Sequence, residues 1–173
     1  MTREADVSSA PVLLGLLMSQ PRHGYELYQE YSHELGRVWR IGLSQLYAQL
    51  KQLEADGLVT ARAELQAARP SRKIYQITPA GQEAFLDWVH QPSRHIRDIR
   101  LEFLARLYFF RRLALPGLEQ LVAAQKAVCQ AQVEALAGSA VETDDAFASL
   151  VIEFRQGQLR AIIGWLDRCL ETP

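Results

Sequence analysis

Cysteine is scarce in this sequence: Cys129 and Cys169 are the only two in 173 residues, and they form no C-x-x-C spacing. That excludes a disulfide framework and a cysteine-ligated zinc site. Nothing near either thiol in the sequence predicts a depressed pKa, so both are read as inert. Long apolar runs are missing as well. No stretch approaches the roughly 18 residues that span a bilayer, so no membrane partner is expected. The first twenty residues, MTREADVSSAPVLLGLLMSQ, carry acidic groups and a short apolar stretch without a cleavage site, which speaks against a signal peptide. A reducing cytoplasm suits these absences.

Catalytic motifs are absent too. There is no G-x-S-x-G, no H-E-x-x-H, no P-loop and no G-x-G-x-x-G. The carboxylates fall on helix surfaces rather than in apolar pairs. His33, His90 and His95 have no cysteine or carboxylate at metal-ligand spacing, so neither a metal nor any other cofactor is expected. The chain is not expected to be an enzyme.

A strong net charge is likewise missing. The chain carries −1 overall, but the charge is unevenly placed. Between Arg37 and Lys73 stand seven basic residues and three acidic ones, an excess of four positive charges that leaves the remainder at −5. A basic segment in a neutral chain is either a solvated loop or an anion-binding face.

What is present is a clear order of elements. Ser8 or Ser9 caps a buried first helix that has Pro11 in its first turn and ends at Gln20-Pro21. A second helix opens near His23-Gly24, where His23 caps or packs, and places Leu27, Tyr31 and Leu35 on one side. The stretch GLSQLYAQLKQLEADGLV (42–59) spaces Leu43, Leu46, Leu50 and Leu53 as one core-facing stripe and closes on a glycine C-cap at Gly57. Its other face carries Ser44, Gln45, Ala48, Lys51 and Gln52, with almost no carboxylate. Two strand-like runs, 58–64 and 72–78, flank LQAARPSR and predict a hairpin with a long basic tip. Thr78-Pro79 starts a fourth helix that reaches Gln91-Pro92. Beyond it the chain reads as wholly helical. Asp98–Leu113 is apolar on two sides, a long helix runs from Pro116-Gly117 to about Ala137, and a last helix ends near Leu170. That last helix carries a stripe of Phe147, Val151, Phe154, Ala161, Ile162, Trp165 and Cys169, which needs a partner.

Three helices, a hairpin and a further helix spell a winged helix-turn-helix. The expected fold is therefore mainly α with a small β-hairpin wing, divided into a DNA-binding domain over 1–92 and a helical domain over 93–173. In helix-turn-helix proteins the recognition helix enters the major groove. Ser44 and Gln45 suit base edges, Ala48 allows close approach and Lys51 reaches a phosphate. A basic wing can follow the duplex backbone or enter the minor groove.

The segments PRHGYELYQEY (21–31), GLSQLYAQLKQLEADGLV (42–59) and RPSRKIYQITPAGQEAF (69–85) resemble, in order and spacing, three signatures of the PadR family of transcriptional regulators. The likeness covers the N-terminal half. It implies a homodimeric repressor of an inverted-repeat operator on double-stranded DNA, with C-terminal helices that dimerise and help form a small-molecule effector site. Ala48 stands where the family's recognition helix usually has proline.

The expected DNA contacts are Tyr25, Ser44, Gln45, Tyr47, Lys51, Arg69, Arg72 and Lys73. The bland reading beside them is a solvated face, and for Tyr25 and Tyr47 simple packing. Candidate effector residues are Trp88 and Trp165, which otherwise belong to the core, and Arg94 and His95, which otherwise belong to a solvated linker. The competing function is a winged-helix protein-interaction module without DNA binding. The basic excess around the hairpin opposes it.

Overall fold

The computed structural model describes residues 8–66, 69–141 and 145–171, without the side chains of 65–66, 69–71 and 139–141. The chain forms two compact units. The first comprises residues 1–89 together with 104–114, the second 90–103 together with 115–173.

In the first unit, α1 (Ala10–Leu17) is apolar all round and correspondingly buried, with Val12, Leu13 and Leu16 fully enclosed. Ser8 accepts the Ala10 N–H at 3.2 Å. Ser9 turns its hydroxyl elsewhere, donating to Gln49 Oε1 at 2.8 Å and so tying α1 to the recognition helix. A two-residue strand, β1 (Arg22–His23), leads into α2 (Gly24–Glu34), which buries Leu27 and Tyr31, with Leu35 just beyond it. Next comes α3 (Leu43–Ala55), which buries Leu46, Leu50 and Leu53. Leu43, expected in the same stripe, is 37% exposed because it stands at the helix start, where the stripe runs past the core. The helix ends as the glycine predicts. Gly57 has φ +71, its N–H reaches the Glu54 carbonyl at 3.2 Å, and the Leu58 N–H reaches Leu53 at 2.9 Å. That is the paired hydrogen bonding of a Schellman cap.

Strands β2 (Val59–Gln66) and β3 (Arg69–Ile77) pair antiparallel, and β1 adds to the outer edge of β3, giving the order β1-β3-β2. The ladder runs from Val59 opposite Ile77 to Glu64 opposite Arg72, then shifts so that Gln66 meets Arg69. The strands thus extend further than the sequence predicts. Arg72, where the predicted tip and the predicted second strand overlap, lies in the ladder.

Helix α4 (Pro79–Val89) buries Phe85 and Val89, and α6 (Leu104–Arg112) packs beside it. Phe109 meets Phe85 edge-on at 5.2 Å. Gly15 makes room for both rings, since a Cβ there would lie 2.5 Å from Phe109 and 2.6 Å from Phe85. Arg106 is buried, donates to the Trp88 carbonyl at 3.0 Å and lies 4.8 Å over the Trp88 ring. Glu30 pairs with Arg22 at 2.9 Å and with Arg112, linking α2 to β1 and α6. Residues 104–114 complete the core of the N-terminal unit.

The second unit holds α5 (Ile96–Asp98), a π-helical segment (Ile99–Phe103), α7 (Leu118–Val141) and α8 (Ala146–Glu171). Helices α7 and α8 pack on each other. Gln125 is fully buried and pairs with the Ser93 backbone in both directions, accepting at 2.7 Å and donating at 3.0 Å. Leu159, Leu166 and Cys169 are the buried residues of α8. The expected stripe fares differently. Phe147 is 73% and Phe154 65% exposed, and no described residue from Gln130 to Gln158 is buried. Among the described residues, no helix is long and apolar enough to cross a membrane, and no cluster of His, Cys, Asp or Glu could hold a metal ion.

Candidate nucleic-acid interface

Five of the eight residues expected to contact DNA meet in one open groove of about 610 Å³ on the first unit. Tyr25 comes from the start of α2, Tyr47 and Lys51 from α3, and Arg72 and Lys73 from β3, with His23, Gly24, Glu26, Glu54 and Tyr75 completing the walls. Helical spacing explains the α3 contribution. Positions 47, 51 and 54 follow at steps of four and three, so their side chains share one flank. Ser44, Gln45 and Ala48 stand on the exposed face beside it. Arg69 has its backbone in the ladder opposite Gln66, but its side chain lies outside the described residues.

The motif residues hold one another in place. Gly24 is buried, and a Cβ on it would lie 2.6 Å from Cε1 of Tyr47 and 3.1 Å from its hydroxyl. The glycine of HGY is thus the counterpart of the tyrosine of LY. Its missing side chain lets the Tyr47 ring lie against the start of α2 while staying 41% exposed to the groove. Glu26 accepts the His23 N–H at 3.2 Å, which caps α2 at the groove's edge. His23 also places Nε2 3.3 Å from Glu64, so its position follows from capping and packing.

The wing is anchored by the Thr-x-x-Gly that follows it. The Thr78 hydroxyl lies 2.8 Å from the Gly57 carbonyl and 3.1 Å from that of Leu58, and it accepts the Gly81 N–H at 3.1 Å. A Cβ at Gly81 would stand 2.1 Å from the Leu58 oxygen. The end of the recognition helix and the start of α4 are thereby fixed to each other, and β2 and β3 leave from that joint.

The groove's electrostatics are mixed. Lys73 donates to Glu54 at 3.1 Å, and this hydrogen bond raises the ammonium pKa above its ordinary value. Tyr75 is 5% exposed, and burial pushes its phenol up. Among the described residues Lys51 and Arg72 form no ion pair, although Arg72 faces Glu64 across the ladder. Cations, two exposed tyrosine hydroxyls and a helix N-terminus facing one concave surface make an anion-binding arrangement.

The effector candidates fall in both units. In the first unit Trp88 packs with Phe85, Phe109 and Arg106. In the second, Trp165 meets Phe103 edge-on at 5.9 Å. Arg94 and His95 have exposed side chains, and the Arg94 carbonyl accepts from Gln132 at 2.6 Å. Sequence reasoning missed Glu54 and Tyr75 as groove walls, and Arg106 and Gln125 as buried polar anchors. For Tyr75 the signal was its neighbours, since it follows two cations in a strand. For Glu54 it was the helical spacing from Tyr47 and Lys51, and for Arg106 and Gln125 only tertiary structure carries it.

Comparison with known proteins agrees with the order of elements. A family model described as "Transcriptional regulator PadR-like family" matches residues 13–87, and one described as "Virulence activator alpha C-term" matches 99–172. The negative transcriptional regulator PadR of Bacillus subtilis (strain 168) is 32% identical over 129 residues, covering 73% of this chain and 70% of the relative. Crystal structures of Bacillus subtilis PadR are similar at 26% identity. The complex with operator DNA covers 94% of this chain and 96% of that one at a TM-score of 0.49, and the complex with p-coumaric acid covers 94% and 93% at 0.43. On the family model and the 32% identical Bacillus subtilis relative, the chain belongs to the PadR-like family of transcriptional regulators.

Proposed function

We propose that this chain is a sequence-specific, homodimeric DNA-binding repressor. The observation that carries the reading is the groove. Residues far apart in sequence, Tyr25, Tyr47, Lys51, Arg72 and Lys73, line one concave surface beside the exposed face of α3. In this reading the sugar-phosphate backbone lies in the groove, Ser44 and Gln45 face base edges in the major groove, and the wing carries Arg69 along the duplex. The name of the Bacillus subtilis relative, a negative regulator, favours repression over activation.

The homodimer is supported by the second unit. Phe147, Leu150 and Phe154 are each more than 60% exposed on a 26-residue helix. Apolar side chains of that size, brought into one patch by helical spacing, mark an interaction surface. A second copy supplies the same surface by symmetry and would present two recognition helices to an inverted repeat. Release by a small molecule requires that it bind the DNA-incompetent arrangement more tightly. Of the effector candidates, Arg94 and His95 have side chains open to an anionic ligand, whereas Trp88 and Trp165 serve packing. The cytoplasm is the compartment this function requires.

The double charge reversal Lys51→Glu with Arg72→Glu tests the reading. Specific DNA binding should be abolished while the melting curve and dimer mass stay as in the wild type. Unchanged affinity would contradict it.

A further inference from the structure

Two carboxylates stand in the walls of a groove otherwise furnished with cations and hydroxyls. Glu26 is engaged in capping His23. Glu54 is not needed for a cap or for the core. It lies on the same flank of α3 as Tyr47 and Lys51, where a phosphate would come, and it repels that phosphate. Its partner is Lys73 of β3, at 3.1 Å, with side chains 34% and 55% exposed.

We infer that Glu54 is a positioning residue for DNA binding: it holds the Lys73 ammonium against the recognition helix and thereby withholds one phosphate-binding cation of the wing. The inference rests on the DNA-binding reading above. A carboxylate and a phosphate oxygen compete for the same ammonium. While Lys73 is neutralised by Glu54 it takes no part in displacing counterions from the duplex. Lys51 and Arg72, which form no ion pair among the described residues, do take part. The raised pKa of Lys73 has Glu54 as its first cause, which agrees with an engaged pair. Because the pair is exposed it is weak, so the restraint is adjustable and its removal does not threaten the fold.

Equilibrium binding to operator and to scrambled DNA, across a salt series, tests this with Glu54→Gln, Lys73→Gln and the double variant. Glu54→Gln should bind scrambled DNA roughly two- to fivefold more tightly at low salt, the scale of one exposed ion pair. The slope of log affinity against log salt should steepen by about one. Lys73→Gln alone leaves the Glu54 carboxylate bare in the groove and should weaken binding to both DNAs, and adding it to Glu54→Gln should erase the gain. The inference is overturned if Glu54→Gln binds no better than the wild type, or if its gain survives in the double variant. The first result would make the pair a strut, the second would trace the gain to lost repulsion by Glu54 and not to a released Lys73. If the wild type itself fails to prefer operator over scrambled DNA, it is the regulator reading that falls. Melting curves confirm that each variant is folded.

Discussion

Gly24→Ala separates the shape of the groove from the stability of the fold. The new Cβ would lie 2.6 Å from Cε1 of Tyr47, so the ring must retreat by about 1 Å to reach ordinary carbon contact. Tyr47 is 41% exposed and can swing outward without disturbing the core. Gly24 has no positive φ, and alanine gains roughly 0.5–1 kcal/mol over glycine in a helix. The two effects offset, and the melting temperature should stay within about 4 °C of the wild type. DNA binding should not survive as well. If Tyr47 donates to a phosphate as proposed, a displaced ring forfeits that hydrogen bond, about 1.5–3 kcal/mol for a bond to a charged group. That corresponds to roughly 10- to 150-fold weaker affinity. The salt slope should be unchanged, because no cation has moved. Tyr47→Phe should reproduce the loss without any steric change. Fluorescence anisotropy with operator DNA and thermal melting by circular dichroism measure both quantities. Wild-type affinity in Gly24→Ala, or a large drop in melting temperature, would refute the reasoning.

Gly15→Ala should act on the core instead. Its Cβ would meet Phe109 at 2.5 Å inside packed rings, an overpacking of about 1–3 kcal/mol that lowers the melting temperature by several degrees. Thr78→Val should cost about 1–3 kcal/mol, read by urea unfolding, because it leaves the Gly81 N–H and two carbonyls without their hydroxyl partner. Phe147→Ser with Phe154→Ser should shift the dimer toward monomer in light scattering, since both rings are exposed in the single chain. Burial pushes the Cys129 thiol up, so a thiol reagent at pH 8 should label it only after unfolding. Prompt labelling of the native protein would refute its placement.

The parts of this fold that were legible in the sequence are those that local periodicity and caps encode. The leucine spacing of α3 marks the faces of the helix, and Gly57 marks its end, because only a left-handed residue closes it. The hairpin was legible as a hairpin, but not its length. Arg69 and Pro70 read as loop chemistry, and the shifted register near Gln66 lets the strands run on regardless. Strand β1 is too short, at two residues, to carry any period. The two-sided apolar pattern of Asp98–Leu113 showed a sandwiched helix, but not that residues 104–112 would serve the N-terminal core. Phe109 finding its space above Gly15 is a tertiary event. The site shows the same division. Lys51 was legible on the polar face of α3, and Tyr47 as a position beside its leucine stripe. Gly24 as the seat of Tyr47 and Glu54 as the partner of Lys73 were not, because each pair joins elements that sequence spacing leaves unrelated.

The central claim is that the groove and the exposed face of α3 bind DNA in a sequence-dependent way. The most direct measurement is fluorescence anisotropy of the wild-type protein on DNA from upstream of its own gene, at two salt concentrations, against a scrambled competitor. Tight binding by a dimer is expected, which the competitor does not displace and which weakens with salt by a slope of several counterions. Equal, weak binding to both sequences that vanishes at the higher salt would contradict it.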